Sequence, residues 1–164
     1  MEHVRDSTRN LQLLSELLLT SPSLSEASRH PPSIEGYSSG TWEAVSTLDI
    51  TDLEALGALA VTNHVILRSF TPLQRLLADV GNSQAAERTA HAVQRETARI
   101  DHALTFLEQI CSALEQGGCP VTVIKSLDHW PDLGSDLDLY TDADAAKVVE
   151  LMGTHFNAKL GERS

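Results

Sequence analysis

The sequence predicts an α+β fold, with a helical bundle over residues 1–118 followed by a partial α/β unit over 119–164. The second part should run strand, loop, strand and helix. Three observations lead there. Apolar residues recur at three- and four-residue spacing through the first two thirds of the chain. The β-branched run Pro120-Val-Thr-Val-Ile124 then breaks that rhythm. Asp136-Leu-Asp-Leu-Tyr140 follows with polar–apolar alternation, the pattern of a strand with one face buried.

Hydrophobic residues make up 41% of the 164, enough for a core, and aromatics only 4%, so that core must be aliphatic. The formal net charge of -11 offers no basic face to a phosphate backbone, which argues against a duplex-DNA binder. It leaves room for a nucleotide held through a metal ion, because the ion brings the positive charge. The stretch Leu11–Leu19 is interrupted by Gln12, Ser15 and Glu16, far from the roughly 18–20 apolar residues of a membrane span. It also lacks the basic leader of a signal peptide, and a cytoplasmic protein is expected.

Taken in order, Leu11, Leu14, Leu17 and Leu18 line one face of a first helix over 10–20. Residues 21–40, with Pro22, Pro31, Pro32, Gly36 and Gly40, read as a linker. Thr51-Asp-Leu-Glu54 is a capping-box pattern, and predicts a helix from there to about Phe70 with Leu53, Leu56, Leu59, Ala60 and Leu67 buried. Pro72 suits the first turn of a short helix that stops at Gly81, with Leu73, Leu76, Leu77 and Val80 inward. The longest helix should run over 83–116 and end at Gly117-Gly118. Its seam, from Ala86 and Ala90 through Val93, Thr97, Ile100, Leu104, Leu107 and Cys111 to Leu114, alternates steps of four and three. At ~1.5 Å per residue this helix is about 50 Å long, more than a compact domain of this size needs, so it should extend beyond the body, bend, or pack on another subunit, the last giving a homo-oligomer through 83–116. Thr141-Asp-Ala-Asp144 opens a last helix, with Ala145, Val148, Val149 and Met152 inward, ending near Phe156.

The two cysteines, Cys111 and Cys119, form no CxxC pair and are expected as free thiols, Cys111 buried. His64, His91 and His102 are not spaced as a helical metal pair. Trp42 reads as a core or interface anchor, and Asp128 and Asp132 as turn or solvated residues.

The segment that carries chemistry is Val123-Ile-Lys-Ser-Leu-Asp-His-Trp-Pro-Asp-Leu-Gly-Ser-Asp-Leu-Asp-Leu-Tyr140. On a strand, Asp136 and Asp138 share a face, with Leu137 and Leu139 on the other. Two carboxylates so placed suit magnesium, a hard ion that takes one or two carboxylates together with substrate phosphates.

Over about 113–156 the chain resembles the nucleotidyltransferase superfamily of polymerase-beta-like fold. In that family a strand ends in Gly-Ser or Gly-Gly, and Asp-hydrophobic-Asp-hydrophobic follows about ten residues later. Here the first strand ends at Lys125-Ser126 and Asp136-Leu-Asp-Leu follows. The match is nearest to a branch with a helical N-terminal half and a Lys-Gly strand end, to which Ala113-Leu-Glu-Gln-Gly-Gly-Cys-Pro-Val-Thr-Val-Ile-Lys125 is similar. The resemblance implies Mg2+ or Mn2+ held by Asp136 and Asp138, and a nucleoside triphosphate whose phosphates meet Lys125 and Ser126. It implies that this part opens a mixed sheet with flanking helices, and that a nucleoside monophosphate is transferred to an acceptor whose identity is open. Two positions depart from the pattern. Ser126 stands where that branch has glycine, and the third carboxylate of the family, carried on a later strand, has no counterpart except Glu162. A fragment of a longer protein, or a truncated relative, is therefore expected. The alternative reading is a non-catalytic helical interaction module carrying an incomplete nucleotidyltransferase fold.

Overall fold

The computed structural model describes residues 2–20 and 36–161, with side chains from Thr8 onward. Over the described residues the fold is α+β, mostly helical with one small sheet. The helices are α1 (Glu2–Thr20), α2 (Ser39–Ser46), α3 (Ile50–Thr62), α4 (Ile66–Asp79), α5 (Ser83–Gln116) and α6 (Ala145–Phe156). Between α5 and α6 come β1 (Thr122–Val123) and β2 (Leu139–Tyr140). The chain divides into two compact units, Met1–Ala98 and Arg99–Ser164, and the division falls inside α5.

The first unit is built on leucine. Leu13, Leu14 and Leu17 of α1 are buried with Leu53 and Leu56 of α3 and Leu73, Leu76 and Leu77 of α4. Leu11, expected inward, is exposed and Leu13 takes its place, while Leu18 is only partly buried. Most of the linker expected over 21–40 lies outside the described residues. At its end Ser38 caps the unforeseen helix α2, its hydroxyl accepting the Thr41 amide at 3.1 Å. Trp42 of α2 is partly buried against the leucine core.

The helix expected over 51–70 is two helices. Asp49, not Thr51, caps α3 by accepting the Asp52 amide at 2.8 Å. The helix ends in a reverse turn: Val65 N–H donates to the Ala60 carbonyl at 2.9 Å and His64 N–H to Val61 at 3.1 Å, with His64 at φ 51°. Helix α4 then starts at Ile66 with no side-chain cap, so Pro72 lies inside it rather than at its first turn. Leu67 is half-buried.

Helix α5 has the expected bounds. Asn82 starts it, its side-chain oxygen accepting the Ala85 amide at 3.3 Å. Gly118, at φ 72°, ends it: Cys119 N–H donates to Leu114 at 2.8 Å and Gly118 N–H to Glu115 at 2.9 Å. Ile100, Leu107 and Leu114 of the expected seam are buried, but so are Ala85, Thr89 and Ile110, and Thr97 is exposed. Cys111, expected buried, is only partly so, whereas Cys119 is fully buried beside Ile110 and Leu114.

In the second unit, Ile110, Leu114 and Cys119 pack with Leu139 of β2 and with Val148, Leu151 and Met152 of α6. Asp144 caps α6, accepting the Ala146 amide at 2.7 Å. Val149, expected inward, is exposed, and Leu151 and Phe156 turn inward instead. Gly117 lets α6 come close: a Cβ there would sit 2.4 Å from Leu151 Cδ1. Of the expected mixed sheet, the described residues contain one antiparallel pair, Thr122 opposite Tyr140 and Val123 opposite Leu139. Two strands of this length are marginal by themselves, so the helices behind them must hold the ribbon.

Candidate functional site

The ribbon runs one step beyond its assigned strands. Ile124 N–H donates to the Asp138 carbonyl at 2.9 Å, which sets Ile124 opposite Asp138. At Lys125 the first strand turns away. Lys125 is in the left-handed region at φ 60°, and Ser126 N–H folds back onto the Ile124 carbonyl at 2.7 Å. Backbone pairing cannot continue past such a turn, and a side chain takes it over. The Ser126 hydroxyl accepts the Asp138 N–H at 2.7 Å and lies 3.3 Å from the Ile124 carbonyl, to which it donates. Ser126 is 7% exposed.

The four predicted site residues thus have distinct positions. Ser126 and Asp138 are brought together, but through the serine hydroxyl and the aspartate backbone. The Asp138 carboxylate is left to solvent, and Asp136, two residues earlier, is exposed as well. Lys125 is exposed at the turn and forms no ion pair with either carboxylate among the described residues. Among those residues no three His, Cys, Asp or Glu side chains gather as a metal-holding group. The pair itself has the donor chemistry magnesium takes when a substrate completes its shell: hard carboxylate oxygens that form no salt bridge among the described residues.

The loop between the strands is wound rather than extended. Asp128 N–H donates to Lys125, Trp130 to Leu127 and Asp132 to His129, each at 3.0–3.1 Å. Its far end is tied down. Leu133 is buried, and Asp132, read from the sequence as a turn or solvated residue, is 1% exposed. The Arg99 guanidinium on α5 donates to the Leu133 carbonyl at 2.6 Å and to Gly134 at 3.3 Å. This clamp has no local signal in the sequence, since its partners lie 34 and 35 residues apart. Arg99 therefore positions the loop that delivers Ser135 and Asp136 to the ribbon.

A groove of about 620 Å³ runs between α5 and α6, lined by Gln109, Ser112, Leu151, His155 and Phe156 among others, and includes none of the four predicted site residues. Cys111 lies on the same stretch of α5. Burial, and then the neighbouring Glu115 charge, raise its thiol pKa, which favours the protonated form over the thiolate. No helix among the described residues is long and apolar enough to cross a membrane. No family model, curated protein or solved structure matches the chain.

Proposed function

We propose that this chain is a nucleotidyltransferase-like protein that binds a nucleoside triphosphate with Mg2+ or Mn2+ at Asp136 and Asp138, and transfers a nucleoside monophosphate to an acceptor. The observation that carries the reading is the Ser126–Asp138 clamp. It fixes the backbone beneath one carboxylate of an Asp-x-Asp pair while leaving both carboxylates exposed. An ordinary solvated strand end has no need of a buried hydroxyl at that point.

In this reading Asp136 and Asp138 hold the divalent ion. When bound, it neutralises charge on the phosphates and on the leaving pyrophosphate. Lys125 supplies a mobile positive charge to the phosphate chain. Ser126 serves as a positioning residue and not as a phosphate donor, because its hydroxyl is committed to the ribbon. In the transfer the acceptor oxygen bonds to the α-phosphorus and loses its proton to solvent. The bond from that phosphorus to the bridging oxygen breaks, and pyrophosphate leaves with the electron pair.

Calorimetric titration with ATP and with GTP, each with magnesium, tests this against an Asp136→Asn, Asp138→Asn double variant. Metal-dependent binding by the parent chain and its loss in the variant are expected. A well-folded parent chain that binds neither nucleotide would overturn the reading and leave the helical interaction module.

A further inference from the structure

The register of the ribbon has a consequence for which part of a nucleotide lies where. Cross-strand partners point to the same face. One face therefore carries Thr122 with Tyr140 and, beside them, Ile124 with Asp138. The other carries Val123 with Leu139, and Leu139 packs into the apolar core of the unit. The first face is open to solvent. A water-facing side of an antiparallel sheet is ordinarily polar. Here Ile124 is 40% exposed and Tyr140 60% exposed, on the same face as Asp138.

We infer that this face, Tyr140 with Ile124, is the seat of the nucleobase, with the Tyr140 ring stacking on the base and Asp138 facing the metal-bound phosphates. Tyr140 stands two residues beyond Asp138, about 7 Å along the strand, the scale of one ribose between a base and its phosphate. An aromatic ring accepts any base because every base has a π-face. The face therefore selects for a nucleotide over a bare polyphosphate, with little discrimination between purines. This inference rests on the proposed metal–triphosphate site and adds its substrate-positioning half.

Titrations with magnesium and either ATP or inorganic tripolyphosphate separate the two claims. Tyr140→Ala should weaken ATP binding about tenfold, within the range of one lost stack, and leave tripolyphosphate binding unchanged. Tyr140→Phe should retain ATP binding. The inference is overturned if Tyr140→Ala binds ATP as the parent does, or if it loses ATP and tripolyphosphate to the same extent. It is equally overturned if the selective loss of ATP follows Trp130→Ala, which removes the exposed loop aromatic, instead of Tyr140→Ala. A parent chain that binds tripolyphosphate and ATP equally well, unaffected by Tyr140→Ala, sinks the nucleobase seat alone. Binding of neither ligand sinks the nucleotide reading with it.

Discussion

Replacing Ser126 with alanine removes one oxygen from a position where the ribbon has no backbone substitute. The hydroxyl accepts Asp138 N–H at 2.7 Å and donates to the Ile124 carbonyl at 3.3 Å. A hydrogen bond of this kind contributes about 1 kcal/mol net, and a buried orphan would cost more. Asp138 is exposed, so water can take over its amide, and the lower figure applies. For a unit of this size the urea slope is about 1 kcal/mol per molar, and the midpoint should fall by about 1 M. The two tryptophans, Trp42 and Trp130, fall in different units. In a Trp42→Phe background, Trp130 fluorescence therefore reports the second unit alone. Ser126→Thr, which keeps the hydroxyl, should retain most of the stability. A midpoint unmoved by Ser126→Ala, with unchanged hydrogen exchange at the Asp138 amide, would refute the idea that this hydroxyl holds the carboxylate strand.

Two more expectations concern the units separately. Gly117→Ala forces a methyl within 2.4 Å of Leu151 Cδ1, so Leu151 or α6 must shift; a loss of about 1–3 kcal/mol is expected, and Leu151→Ala in the same chain should recover part of it in a double-mutant cycle of thermal melts. In the first unit, hydrogen bonds from the Thr41 hydroxyl, then from Gln12, hold the Glu16 carboxyl below the usual range. A lowered folded-state value stabilises at pH above the unfolded value, and that stability is lost as pH falls through the folded value. Urea midpoints read at Trp42 should therefore fall more steeply on acidification for the parent than for Glu16→Gln, and equal slopes would show that Glu16 contributes nothing.

Three helices here end in the same turn, and their legibility differed by one side chain. Helices α4 and α5 close at Gly81 and Gly118, both at positive φ, and glycine announces such an end in the sequence. Both ends were foreseen. Helix α3 closes on the equivalent hydrogen bonds with His64 in the left-handed position, and nothing about histidine marks that role. The next helix opens on Val65 without a side-chain cap, so the junction is silent on both sides and two helices read as one. Periodicity located the long helix but not every buried residue on it: Thr89 and Ile110 are buried off the expected seam. The Asp-x-Asp pair and the lysine–serine corner were visible as motifs. That the serine ties the two strands together was not, because it depends on a backbone turn at a residue other than glycine.

That turn also changes the kind of attraction the corner can exert. In a glycine turn a main-chain amide can point at an anion and fix its direction. Here the Ser126 amide is spent on the Ile124 carbonyl, and the Lys125 ammonium is what the corner presents to solvent. An ammonium on a flexible stem attracts without aiming, and dissolved salt screens it over about 8–10 Å at physiological ionic strength. A polyanion at this corner is thus drawn by a field that the surrounding electrolyte sets as much as the protein does.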